Sequence, residues 1–159
     1  MPKLLIGYDV EATDERTEAF LKSAAAVHRE LQAPAAVFIV GRTLERNVDA
    51  CRRAMESGYL EFHQHTYSHV LLKTVLQENE DGVRMFPGAS FERAREEIVK
   101  GQETVQSLLG AVCDGLTAPY NYYRGLGDRP DLLEVLRGCG IRFVRSAGRN
   151  EKDWQPVPF

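Results

Sequence analysis

Short apolar runs alternate with longer amphipathic stretches along this chain. Residues 3–9 (KLLIGYD) form an apolar run that ends on an acid and predict a strand. Residues 13–32 are rich in Ala, Glu, Lys and Leu and predict a helix with Thr13 or Asp14 as N-cap. Residues 35–40 (AAVFIV) predict a second, buried strand, and residues 44–57 a second helix closed by Gly58. Residues 59–63 (YLEFH) predict a third strand. Residues 70–89 are less regular, with ENEDG and FPG as loop signals. Beyond them Ser90 caps a helix over 91–109, whose Glu92 and Glu96 suit its N-terminal half. Residues 115–118 read as a short strand, 131–137 as a helix started by Pro130, and 141–144 as a strand. The proline-rich end, 155–159, reads as extended.

Strand and helix in alternation mean parallel strands joined by crossover helices. That is the pattern of an α/β barrel or an open sheet, where chemistry collects at the C-terminal ends of the strands. The polar residues just past each strand are therefore the ones to weigh. They are Asp9 and Glu11, then His63, His65 and His69, then 117–120, then 146–154.

Composition narrows the classes. The chain has 159 residues, enough for one domain over 1–159 with its own core. With 43% hydrophobic and 27% charged residues it reads as globular. A net charge of -3, from 20 basic and 23 acidic residues, argues against a nucleic-acid partner. The densest basic groups, Arg52-Arg53 and Arg142/Arg145/Arg149, read as solvated faces. Three widely spaced cysteines, Cys51, Cys113 and Cys139, read as structural thiols rather than a disulfide framework. No apolar run approaches the ~18 residues of a membrane span. The N-terminus has no signal-peptide pattern, so a cytoplasmic location is expected.

Three of the four histidines fall within HQHTYSH. His65 and His69 are four apart; on a helix they would share one face, with Cβ atoms roughly 6 Å apart. That suits two imidazoles on one cation at ~2.0–2.1 Å. The alternative is a set of surface or cap histidines. His28, inside the first helix, reads as structural. Asp9 and Glu11 flank Val10 and point to the same side of an extended backbone. Two such acids can divide the labour, one binding a cation and the other taking a proton from water. Helix capping is the rival reading, preferred for Asp14 and Glu15 but not for Asp9.

HTYSH at 65–69, YDVE at the first strand end, APY at 118–120 and DW at 153–154 occur in the order of a known motif set. The chain resembles the polysaccharide deacetylase family, also called NodB-homology or carbohydrate esterase family 4. The resemblance implies a distorted (β/α) barrel and a divalent-metal hydrolase, typically with zinc, cobalt or nickel, that removes acetyl groups from sugars. It implies that His65 and His69 bind the metal and that Asp9 is the catalytic base. The family's second acid follows the first directly, and here that position is Val10. By analogy with Asp-x-Asp relatives, Glu11 completes the ligand set. The Tyr120 backbone N–H would join the metal at the oxyanion. Asp153 and Trp154, with Arg124 nearby, would belong to the substrate pocket.

The chain departs from the pattern in two further places. The arginine that orients the catalytic aspartate is Thr117 here, so Asp9 is expected to lose that support, with Arg124 the candidate to reach back. No histidine follows His69, although the family's last motif, Leu-x-x-His, supplies the general acid. The barrel is accordingly expected to be incomplete at the C-terminus, and its open strand edges to favour a homo-oligomer. His63 is a stand-in for the missing acid or, the preferred reading, a packing residue beside the metal loop. Tyr120, Tyr122, Tyr123 and Trp154 could stack on sugar rings, or Tyr122 and Tyr123 pack within a loop. The expected substrate is a carbohydrate or small N-acyl compound. Rival readings are a lipid-linked sugar at the inner membrane face, a small cytoplasmic amide, and a non-catalytic metal- or carbohydrate-binding domain.

Overall fold

Ala35–Ile39 (β2) is apolar throughout because it is covered on both faces, with Val37 and Ile39 fully excluded from solvent. It runs parallel to Gly7–Val10 (β1) on one side and Leu60–Gln64 (β3) on the other. Gly115–Thr117 (β6) and Phe143–Arg145 (β7) extend the sheet to the order β1-β2-β3-β6-β7, all pairs parallel. The computed structural model describes residues 5–80, 82–120, 122, 125–146 and 154–156.

The crossovers are helical. Glu15–Leu31 (α1) starts where the Asp14 carboxylate accepts from the Arg16 N–H, and ends at Gln32 in the left-handed region. The helix predicted over 44–57 is two helices, Gly41–Arg46 (α2) and Val48–Met55 (α3). Asn47 breaks it: its φ is -128°, and its side-chain amide donates to the Thr43 carbonyl at 2.9 Å, a local bond that competes with the helix. Phe91–Leu109 (α4) matches its predicted span, with Ser90 as N-cap and Gly110 as C-cap. Its Ala94, Ile98, Gly101 and Val105 face the core. Pro130–Gly138 (α5) precedes β7.

The stretch at 70–89 is more ordered than its loop signals imply. Val75–Asn79 (β4) and Gly82–Phe86 (β5) form an antiparallel hairpin in which Glu78 pairs with Val83 and Asn79 with Gly82, so the loop signal is largely strand. Trp154–Pro156 (β8), in the stretch read as extended, pairs antiparallel with β4; 157–159 lie outside the described residues. No described helix is long and apolar enough to cross a membrane. All three cysteines are free, as expected, with Cys51 and Cys113 buried.

The sheet is curled. In a flat sheet β1 and β7 would lie roughly 19 Å apart, four spacings of ~4.8 Å. Yet the Arg145 side chain on β7 reaches the Gly7 carbonyl and the Asp9 carboxylate on β1. Only a half-barrel allows that, as the distorted-barrel expectation requires. Register then orders its concave face in rungs. Asp9, Phe38 and His63 are successive partners across β1, β2 and β3, and Gly115 pairs with Phe143. Rings of Phe38, His63 and Phe143 meet there with centroids 5.1–6.3 Å apart. Two residues further along the strands, alternation brings Glu11, His65, Thr117 and Arg145 to the next rung, at the C-terminal ends.

Candidate active site

The upper rung holds a three-residue cluster. Glu11, His65 and His69 each offer a ligand atom, and these atoms lie within 4.8 Å of one another. Glu11 Oε1 is 3.4 Å from His65 Nε2 and 3.2 Å from His69 Nε2. Tetrahedral zinc with ~2.0–2.1 Å bonds has ligand atoms ~3.3–3.4 Å apart, so both carboxylate–imidazole spacings fit such a cation. The environment fits too. His65 Nδ1 donates to the Thr117 carbonyl at 2.7 Å, which leaves the Nε2 lone pair facing Glu11. His69 Nε2 is buried and makes no hydrogen bond despite its nearness to Glu11. A buried nitrogen without a partner is costly unless something else engages it. Burial, with the neighbouring His65, holds the His69 imidazole below its ordinary pKa, and Glu11 only partly offsets this. The ring therefore stays neutral, as a ligand must.

Residues 65–69 are not helical, contrary to the geometry the His-x-x-x-His spacing invites. They form a tight loop with Thr66 and His69 at φ of 60° and 62°. L-residues seldom adopt that region, so the loop needs outside support. It is clamped from two sides. Gly41 and Arg42, opening α2, donate their N–H groups to the carbonyls of Thr66 and Tyr67. On α4, buried Glu97 accepts from the Ser68 N–H and hydroxyl, both at 2.6 Å, and pairs with Arg93. A Cβ on Gly101 would sit 2.7 Å from Gln64 Oε1 and 3.2 Å from the Thr66 carbonyl carbon, so only glycine lets α4 approach this closely. Within the loop, Thr66 Oγ1 accepts from the His69 N–H. The outcome is a contact between the two imidazoles, centroids 4.8 Å apart, that owes nothing to helical spacing. The Thr43 hydroxyl donates to the Glu11 carbonyl at 2.7 Å and fixes the third member.

Asp9 stands one rung below, and it does not lose its arginine. Arg145 Nη2 pairs with Asp9 Oδ1, and Arg145 Nε donates to Thr117 Oγ1 at 2.9 Å. Arg145 was read as part of a solvated basic group; the curl of the sheet turns it inward instead. Its only sequence signal is its place one residue past the strand predicted over 141–144, a strand that runs over Phe143–Arg145 in the structure. Glu97 carried none, being one acid among several on an amphipathic helix.

Tyr120 lies beside the cluster, its ring 6.0 Å from His69 and its backbone at φ 69°. Tyr122 is buried, and its hydroxyl accepts from the N–H groups of Leu72 and Lys73, so it packs rather than offering a sugar platform. His63 is 3% exposed between Phe38 and Phe143, which gives it the packing role. His28 is structural: Nδ1 donates to the Ala33 carbonyl, and Tyr8 bonds Nε2. Arg124, Asp153 and Tyr123 lie outside the described residues, and of Trp154 only the backbone, in β8, is described.

Solved structures share this half-barrel. A CE4-family pseudoenzyme from Bacillus anthracis superposes with TM-score 0.66 at 13% identity, over 89% of this chain and 42% of that one. A de-N-acetylase from Aggregatibacter actinomycetemcomitans gives 0.66 at 14%, over 92% and 63%. A family 4 carbohydrate esterase from Streptomyces lividans in complex with acetate gives 0.62 at 15%, over 87% and 59%. The chain thus spans about 42–63% of the length of these structures. At such identities the likeness shows the fold. No match was found among curated protein sequences. The family model for polysaccharide deacetylase matches residues 6–144, with Asp9, Glu11, the His65–His69 loop and Tyr120 all inside the matched span. The chain belongs to the polysaccharide deacetylase family.

Proposed function

We propose that this chain is a divalent-metal hydrolase that removes an N-acyl group from an aminosugar unit of a carbohydrate. The observation that carries this reading is the spacing of Glu11, His65 and His69, with both imidazole Nε2 atoms turned to one carboxylate oxygen. A bound cation, zinc in our reading, would polarise the acyl carbonyl and acidify water. The protein residues divide the remaining work. Asp9, held by Arg145, takes the proton of the attacking water. The Tyr120 N–H donates to the oxyanion as the carbonyl carbon becomes tetrahedral. The exposed Tyr120 ring, at the rim of the cluster, offers an apolar face to a sugar.

Two measurements on one preparation test this. Elemental analysis after zinc reconstitution should give about one metal per chain, lost in a His65→Ala/His69→Ala variant. Acetate should then be released from N-acetylated chitooligosaccharide. A folded chain without metal defeats the reading. Metal binding without release of acetate, of formate from formamido sugars or of ring-opened product from cyclic amides favours a second reading, a binding domain without turnover.

A further inference from the structure

We infer that Arg145 is the positioning residue for Asp9, delivering from β7 the guanidinium that Thr117 does not supply from β6. This rests on the reading of Asp9 as the base. Thr117 and Arg145 are direct partners in the β6–β7 register, so their side chains leave the same face of the sheet one strand spacing apart. The short threonine leaves the volume above β6 open, and the guanidinium lies across it. Nε donates to Thr117 Oγ1 at 2.9 Å, Nη1 to the Gly7 carbonyl at 3.3 Å, and Nη2 pairs with Asp9. Its carbon stands over the Phe38 ring, 4.9 Å from the centroid. A Cβ on Gly7 would come within 3.2 Å of Nη1, so glycine there opens the crossing.

Three nitrogens of one rigid plane are therefore engaged at three places, and that fixes the plane. A hydrogen bond from a fixed plane sets where the Asp9 carboxylate sits, whereas a lysine ammonium is a point charge and would set only its distance. Both side chains are partly shielded, 32% and 25% exposed, so water competes for the pair only in part. Thr117 contributes on both sides of the site: its hydroxyl anchors Arg145 and its carbonyl anchors His65. Base and metal ligand are thus tied to one residue of β6.

The zinc-reconstituted chain, assayed for acetate release from N-acetylated chitooligosaccharide, tests the inference. A positioned base is worth roughly 10²–10⁴-fold, so Arg145→Gln should lose at least tenfold in kcat. KM and metal content should hold. Arg145→Lys, which keeps the charge, should recover little. Arg145→Ala/Thr117→Arg, which moves the guanidinium to the neighbouring strand, should recover at least tenfold over Arg145→Ala. Wild-type kcat in folded Arg145→Gln, or no recovery in the folded relocation variant, overturns the inference. If the wild type itself turns over no substrate, the hydrolase reading falls, and a cycle of thermal midpoints decides about Arg145. The midpoint shift caused by Asp9→Asn should then shrink in an Arg145→Gln background. Equal shifts in both backgrounds would show that Arg145 does not hold Asp9.

Discussion

Lys73 is 1% exposed, while Asp128, whose Oδ1 lies 2.5 Å from its ammonium, is 41% exposed. The ammonium has the Gly125 carbonyl at 3.2 Å and the Tyr122 ring at 5.5 Å as its other neighbours. The two halves of this pair are consequently unequal. Replacing Asp128 strands a buried cation, whereas replacing Lys73 with a flexible apolar chain lets Asp128 turn to water. Asp128→Ala should cost about 2–4 kcal/mol and Lys73→Met about 1 kcal/mol or less, measured by urea unfolding of folded proteins. The reverse order would mean that Lys73 contributes by packing alone. Nothing in the sequence flags this pair: the partners lie 55 positions apart, one in a stretch read as loop. Asp9, Glu11, His65 and His69 were legible because their chemistry repeats a motif in a set order. Arg145 was not, because a charge near the end of the chain reads as solvated until the curl of the sheet brings its strand opposite β1.

α4 does two things for the loop at 65–69: Gly101 lets it come close, and Glu97 fills the backbone's hydrogen-bonding needs. The helix itself was legible to the residue, from its Ser90 cap and its apolar stripe. The loop geometry was not, because Glu97 reaches it from 29 positions away and overrides local spacing. Glu97→Ala would leave the Ser68 N–H and the Arg93 guanidinium without their buried acceptor. That should cost about 1–3 kcal/mol by urea unfolding. Because the loop carries His69, zinc affinity should fall ~10–100-fold in competition with a chromophoric chelator, the range typical of lost outer-shell support. Unchanged zinc affinity in the destabilised variant would show that the imidazoles keep their place without this clamp.

The half-barrel as a whole buries a histidine on its concave face, and this gives the fold an acid limit. The order of strands was legible from alternation, but which face each polar residue takes depends on the curl. His63 fell on the inner face, between Phe38 and Phe143. Burial lowers its pKa from the ordinary 6.5, against an opposing pull from Asp114 and Glu61. The sign follows directly. Well above pH 6.5 the imidazole is neutral in both folded and unfolded chains and its contribution to stability is flat. Below it the unfolded chain takes up a proton that the folded one refuses, so stability is lost as pH falls, until the folded value is passed. Each unit of depression corresponds to about 1.4 kcal/mol. His69 adds in the same direction, being lowered mainly by burial and His65, so the comparison belongs in EDTA, where no cation pins that ring. The depressed carboxylates Asp14 and Asp131 act only below their ordinary 3.8, outside this window. Urea unfolding of wild type and His63→Gln should therefore diverge in slope, not only in level, between about pH 6.5 and 4.5. The variant should lose less stability per unit of pH there. Parallel curves would place the acid sensitivity of the half-barrel on His69 alone, at the candidate metal site rather than beneath it.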